Sequence, residues 1–313
     1  MHLSSRFRWI ESDSGRITSS THQWQPQLRA RLLFDRAGRY SVNVGAFGGS
    51  QFVAGWNNSG GGLGLFARDF NVKQLFVAAE PVKDLEVQFG GLYLTRGEST
   101  EVTSYDNDAY IVGERVTLRR PTGLVSQVVA TAGYIGDYRI PNVFRRFKRL
   151  DQFNYGQVLI GARLGTKVNV SADYTYEDGR DILRQGFTWR TPRSIPWMTG
   201  LKVDAYQRVS GTPGQGINVA VDARLGPRLT VTGGVAHIDR NYLAPGYMSL
   251  NADRYERGTR FYTSGNFALT RDFSVGWFQG EAFRTNYPIP NEHRFEIIAT
   301  FSPTATLKAR RIF

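Results

Sequence analysis

The chain has no cysteine, and it has only four histidines among 313 residues. Absence of cysteine excludes disulfide frameworks, thiolate zinc sites and cysteine nucleophiles. The chain also lacks any run of roughly 18 apolar residues, which excludes a protein that crosses a membrane with α-helices. A β-barrel in a membrane stays possible, because only every second residue of its strands faces lipid.

Motifs for enzymatic chemistry are also missing. There is no GxSxG nucleophile elbow and no HExxH zinc motif. Glycine-rich residues 48–71 lack the GK[ST] ending of a phosphate-binding loop, so we interpret them as a surface loop. His237, Asp239 and Ser249 fall in one polar stretch, which leaves a hydrolase at a barrel rim as an alternative. We predict no enzymatic activity and no cofactor or metal.

What the chain has is basic charge, with 39 Lys and Arg against 27 Asp and Glu and a net charge of +12. A basic balance indicates an anionic partner such as nucleic acid, lipopolysaccharide or a small anionic solute. The stretch from Arg145 to Phe153 mixes cations with aromatic rings, which is typical of a lipopolysaccharide contact or a nucleic-acid site. On an extracellular rim we favour the former and predict no nucleic-acid binding.

Two-residue periodicity runs through the whole sequence. From Val168 to Glu177, apolar or aromatic residues alternate with Asn, Ser, Asp, Thr and Glu. Such alternation predicts strands with two unlike faces, and no segment has a convincing helical period. The chain is therefore expected to be all-β, with residues 1–313 as one domain.

Long and short connections alternate between these predicted strands. We expect a polar loop at Ser12–Gln23 and further loops at Asp137–Asn154 and His237–Gly258, whereas Gly226-Pro227-Arg228 is one of the tight turns. Long loops at one end and short turns at the other predict a transmembrane antiparallel up-and-down barrel. We count about 17 strands and, because such barrels have an even number, expect 16 or 18.

The carboxyl-terminal stretch NEHRFEIIATFSPTATLKARRIF alternates again and ends on Phe313. A last strand that ends on an aromatic residue resembles the closing strand of bacterial outer-membrane β-barrels of the porin-like kind. This resemblance implies the outer membrane of a Gram-negative bacterium and a water-filled lumen. Residues 1–6 have no signal-peptide pattern, so we expect the export signal to be missing from this chain.

The polar faces of the predicted strands collect many cations, which we assign to the lumen. A basic lining attracts anions because the low-dielectric wall focuses the field. The candidate pore-lining and selectivity residues are Arg6, Arg8, Arg29, Arg31, Arg115, Arg119, Arg163, Arg184, Arg190 and Arg224. The alternative is that these arginines only hydrate a wide lumen and pair with neighbouring acids.

An acidic stretch from Thr95 to Tyr110 is the candidate constriction loop. In porins one long loop often folds inward and narrows the channel, and here the stretch contains Glu98, Glu101, Asp106 and Asp108. Opposite Arg115 and Arg119, these acids would create a transverse field. A Ca²⁺ site at residues 106–108 is an alternative, although no complete ligand pattern supports it.

Two segments give a second resemblance. The first is LRARLLF, and the second is the series VKQLFVAAEP, LEVQFGGLYLTRGE and DNDAYIVGERVTLRRP. They resemble the alginate-export type of outer-membrane barrel. That resemblance implies a roughly 18-stranded barrel for an anionic polysaccharide, with Arg29, Arg31, Arg115 and Arg119 facing the substrate.

We therefore expect a passive outer-membrane channel for small, preferentially anionic solutes or saccharides. Its expected partners are outer-membrane lipid and lipopolysaccharide, and assembly into a homo-oligomer is left open. The alternatives are an alginate-export-type channel, or a closed barrel that acts through its loops as a rim hydrolase or a surface-binding protein.

Overall fold

The computed structural model of the chain describes residues 2–11, 17–48, 71–104, 110–120, 122–135, 142–191, 195–239, 258–284 and 293–303. Over these ranges the chain forms sixteen strands and two short helical turns. Within this part of the chain, no helix has the length and apolar character needed to span a membrane.

Within the described ranges, no long helix lies between consecutive strands. They are β1 (His2–Glu11), β2 (Ile17–Leu33), β3 (Tyr40–Phe47), β4 (Asn71–Val82), β5 (Leu85–Tyr93), β6 (Tyr110–Arg119), β7 (Val125–Ile135), β8 (Tyr155–Leu164), β9 (Val168–Glu177), β10 (Arg180–Arg190), β11 (Met198–Arg208), β12 (Gly214–Leu225), β13 (Leu229–Ile238), β14 (Gly258–Ala268), β15 (Phe273–Arg284) and β16 (His293–Phe301). The helical turns, both within the described residues, are α1 (Val143–Arg146) and a 3-10 turn at Phe147–Arg149.

Every strand pairs antiparallel with its neighbours in sequence, and the sheet closes on itself. Closure joins β1 to β16, in a register that runs from Leu3 opposite Phe301 to Glu11 opposite His293. This ladder leaves the barrel no free edge. The predicted all-β, up-and-down barrel with an even strand number is confirmed, at sixteen strands rather than eighteen.

Alternation along each strand separates an apolar face from a polar one. On β9, Ser171, Asp173 and Thr175 are buried, whereas Ala172 and Tyr174 between them are exposed. Side chains converge on the inner face of a closed barrel and diverge on its outer face, so the buried polar face is the interior. Large apolar side chains such as Ile160, Val219 and Phe261 are exposed on the outer face, as required of strands in contact with lipid.

The strands that flank the long connections, residues 48–70, 94–109, 136–154 and 239–257, all meet these connections at one end of the barrel, which we call the loop end. The opposite end, the turn end, has short connections such as residues 165–167 and 226–228. The expected separation has an exception, because the tight turn Asp178-Gly179 lies at the loop end. Both of its residues have positive φ, of 45° and 82°, as in the mirror-image turns that join strands tightly.

Two segments differ from the sequence-based expectation. β2 begins at Ile17 and pairs with β1 as far as Glu11, where a loop at Ser12–Gln23 was predicted. Backbone hydrogen bonds form this ladder whatever the side chains, so a polar sequence can pair as well as an alternating one. The predicted loop at Asp137–Asn154 contains α1, which begins where Asn142 Oδ1 accepts from the N–H of Phe144 at 3.0 Å.

A row of glycines crosses three strands near the loop end. Gly113 on β6 lies opposite both Gly90 on β5 and Gly133 on β7. A Cβ at Gly113 would lie 2.7 Å from the Cα of Gly133, and φ at Gly90 is +129°. Only glycine fits this close approach of neighbouring backbones.

Candidate functional site

The chain that leaves β5 lies against the interior face of β8 to β12. We call its described residues, 94–104, the inner loop. Gln157 on β8 donates to the carbonyl of Thr95 at 3.0 Å, and the N–H of Glu98 donates to Ser171 Oγ on β9 at 2.6 Å. Arg184 Nε on β10 donates to the carbonyl of Thr103 at 3.1 Å. The inner loop therefore crosses several strands inside the barrel.

Asp204 on β11 is the main attachment point of the inner loop. Its carboxylate accepts from the N–H and the hydroxyl of Thr100, at 3.2 and 3.0 Å, and from the hydroxyl of Thr103. Asn218 on β12 donates to the other carboxylate oxygen at 2.9 Å, and Tyr262 on β14 donates to Asn218 at 2.9 Å. A fully hydrogen-bonded carboxylate of this kind fixes the position of the inner loop on the wall.

Two buried ion pairs lie on the inward faces of the strands. Arg184 Nη1 lies 3.2 Å from Asp173 Oδ1, and both side chains are almost completely buried. On β16, Arg294 Nε donates to Glu296 Oε1 at 2.8 Å, again in a buried pair. The strands place these groups on one face because each pair member occupies an inward position. Much of the inward acidic charge is thereby compensated.

The predicted acidic constriction residues occupy different environments. Glu98 lies where the inner loop contacts β9 and β10, because a Cβ at Gly186 would lie 2.6 Å from its carbonyl carbon. Glu101 forms an ion pair with Arg96 of the same loop at 3.7 Å. Asp106 and Asp108 lie outside the described residues.

The two arginines expected opposite these acids bind elsewhere on the wall. Arg115 is buried on β6, where it donates to Thr131 at 3.1 Å, to Gln88 at 3.2 Å and to the Tyr93 carbonyl. Arg119 is half exposed and pairs with Glu86 at 3.3 Å. A transverse field between Arg115, Arg119 and the inner loop stays a prediction.

The other predicted pore-lining arginines fall into three groups. Arg184 is buried beneath the inner loop, whereas Arg163, Arg190 and Arg224 are exposed on inward positions at the turn end. Arg29 and Arg31 are also exposed, and the Arg29 guanidinium lies 5.8 Å from the Phe47 ring and 5.2 Å from the Tyr93 ring.

Arg6 and Arg8 belong to β1, opposite Ile298 and Glu296, and their side chains lie outside the described part of the structure.

His237 belongs to β13 rather than to a loop, and its Nδ1 lies 2.8 Å from Thr259 Oγ1. Ser249, the hydroxyl considered with it, lies outside the described residues.

Sequence reasoning did not identify Asn218 or the two threonines of the inner loop as site residues. Asn218 occupies an inward position in the alternation of β12, which was the available signal. Its partners are 14, 44 and 118 residues away in the chain, and no local pattern specifies such pairings.

No protein-family model and no curated protein matches the chain. Solved structures do match it over nearly its whole length. Salmonella typhi OmpF, solved in a complex with daunomycin, superposes with a TM-score of 0.62 at 9% identity, over 96% of each chain. A mutant of the Rh. blastica porin superposes with a TM-score of 0.59 at 11% identity, over 96% of this chain and 99% of that one.

These identities establish similarity of fold. The chain has the closed sixteen-stranded barrel of bacterial porins, which confirms the porin-like resemblance at the level of architecture. The alginate-export resemblance implied roughly 18 strands, two more than the structure has over its described residues.

Proposed function

We propose that the chain is a passive channel of the outer membrane of a Gram-negative bacterium, selective for small anions or anionic saccharides. The observation that carries this proposal is the combination of an apolar outer face, a charged inner face and a loop fixed inside the barrel. A barrel of this size leaves room for a water-filled lumen. A loop attached to the interior wall would determine how much of that lumen is open.

The exposure of the interior charges supports preference for anions. Asp173, Asp204 and Glu296 are between 0% and 3% exposed; Asp173 and Glu296 are ion-paired with arginines, and Asp204 is hydrogen-bonded to the inner loop, so these carboxylates are shielded from the open lumen. Arg163, Arg190 and Arg224 are exposed. Mobile ions in the lumen would therefore encounter more positive than negative charge, and a low-dielectric wall would strengthen its effect.

Reversal potential in a planar bilayer under a KCl gradient tests this preference. We expect a sign that corresponds to chloride permeating faster than potassium. Charge reversal at Arg163, Arg190 and Arg224 should move the potential towards cation preference. Charge reversal of Arg36, in the turn between β2 and β3, is a control with the same change of charge per residue on a turn. Cation preference in the unmodified chain would contradict the proposal.

The proposed partners of the chain follow from its apolar outer face and from the basic residues near the loop end. The exposed apolar belt would contact outer-membrane lipid, and basic residues near the loop end, such as Arg145 and Arg149, would lie near lipopolysaccharide. Assembly into a homo-oligomer stays a prediction.

A further inference from the structure

Two exposed arginines lie beside one cavity at the turn end of the barrel. Arg163 on β8 and Arg190 on β10 line a cavity of about 690 Å³, together with Asn169 on β9 and the turn residues Thr122 and Thr166. This volume is within the roughly 300–1,000 Å³ typical of ligand pockets. None of the described lining residues is acidic.

The cavity lies at the inward face of β8 to β10 and the adjoining turns, on the turn side of the inner loop. The N–H of Glu98 in the inner loop donates to Ser171 on β9, and Asn169 lies two residues before Ser171 on the same face of that strand. On β10, Gly186 contacts the inner loop, and Arg190 lies four residues beyond Gly186 on the same face of the strand. At about 3.3 Å per residue, the cavity is roughly 7–13 Å from the inner loop.

Backbone hydrogen bonds fix the position of both arginines. The N–H of Arg163 donates to the Leu124 carbonyl and that of Arg190 to the Lys167 carbonyl, both at 2.8 Å. Gly165 in the turn leaves open space, since a Cβ there would meet no atom within 4 Å. The arginine stems therefore start from ordered positions beside an open cavity.

Neighbouring acidic charge is already engaged. Asp222 on β12 accepts from Lys202 at 2.8 Å and from Thr232 at 2.7 Å. This carboxylate is therefore paired on its own part of the wall.

We propose that this cavity is a binding site for multiply charged oxyanions, in particular the phosphate groups of small solutes. Guanidinium groups match phosphate oxygens with paired hydrogen bonds, and two of them suit a ligand with two or more charges. Asn169 and the threonine hydroxyls supply further donors. The site deepens the proposed function, on which its role in transport rests: it would hold anions after they pass the inner loop.

Calorimetric titration of the folded chain in detergent with inorganic pyrophosphate tests the site without requiring conduction. We expect saturable binding that weakens about tenfold in Arg163→Gln and in Arg190→Gln, the size expected for losing one charge-assisted contact. Arg228→Gln is the matched control, because Arg228 is exposed in a turn at the same end but does not line the cavity. It should bind as the unmodified chain does.

Two results would overturn the site: no saturable binding, or an equal loss in Arg228→Gln, which would indicate diffuse attraction by net charge. Reversal potentials of the same preparations separate this outcome from failure of the channel proposal. Anion-selective conduction without pyrophosphate binding removes the site alone. Binding that responds to Arg163 and Arg190 in a chain that does not conduct supports the site and removes the channel.

Discussion

Replacing Asp204 should release the inner loop from the barrel wall. In Asp204→Asn, one oxygen can still accept from Asn218, but an NH₂ group replaces the oxygen that accepts from Thr100 and Thr103. The substitution thus removes the charge that strengthened three hydrogen bonds and places an NH₂ group against the N–H of Thr100, while the two threonine hydroxyls would have to reorient to accept. The rest of the barrel ladder is unaffected, so we expect the variant to fold.

The magnitude follows from the strength of hydrogen bonds to a charged group, about 1.5–3 kcal/mol each. Water in the lumen would replace part of what is lost, so we take about 3 kcal/mol for the whole attachment. This shifts the ratio of detached to attached loop by roughly 100-fold. A loop that is attached nearly all the time would then spend a measurable fraction of time away from the wall.

Single-channel recording detects this change as rapid conductance fluctuations and a larger mean conductance. Asp222→Asn is the matched control, because Asp222 is also an inward carboxylate, with the same change of charge, but binds Lys202 and Thr232 rather than the loop. Equal noise and conductance in the two variants would refute the assignment of Asp204 as the attachment point.

Three further outcomes are expected. Gly113→Ala should prevent folding to the heat-modifiable barrel, because its Cβ would lie 2.7 Å from the Gly133 Cα. Gly233→Ala is the control and should fold, since a Cβ at that position would have no atom within 4 Å. Equal yields of the folded form of the two variants on gels would contradict the role of the glycine row. Arg184→Met should destabilise the barrel by about 3–5 kcal/mol in urea unfolding, because Asp173 is left buried and unpaired. Adding Asp173→Asn to Arg184→Met should restore part of the lost stability. Losses of stability that simply add in the double variant would contradict an interaction between Arg184 and Asp173. Thr103→Val should reproduce part of the conductance fluctuations expected of Asp204→Asn. Fluctuations no larger than those of the unmodified chain would assign the attachment to Thr100 alone.

The strands were predictable where one face is apolar. β9 alternates cleanly, and its inward Asp173 and Thr175 are buried as the pattern requires. The amino-terminal half of β2 was not predictable in this way, because its residues are polar at both parities and its pairing with β1 depends on backbone hydrogen bonds.

The candidate site was predictable only as a set of inward residues. Alternation assigns Arg163, Arg184 and Arg190 to one face equally, but the structure covers Arg184 with the inner loop and leaves the other two exposed. Burial depends on where the loop lies, and the loop is held by Asp204, 104 residues from Thr100. Contacts across such a separation are set by barrel geometry, which no local pattern contains.

Conductance of the folded chain in a planar bilayer tests the central claim most directly. Heat-modifiable protein should insert to give stable, discrete steps whose size rises with KCl concentration, as expected of a water-filled lumen. Fully folded, inserted protein that passes no current at any voltage would contradict a channel and leave a closed barrel that acts through its loops.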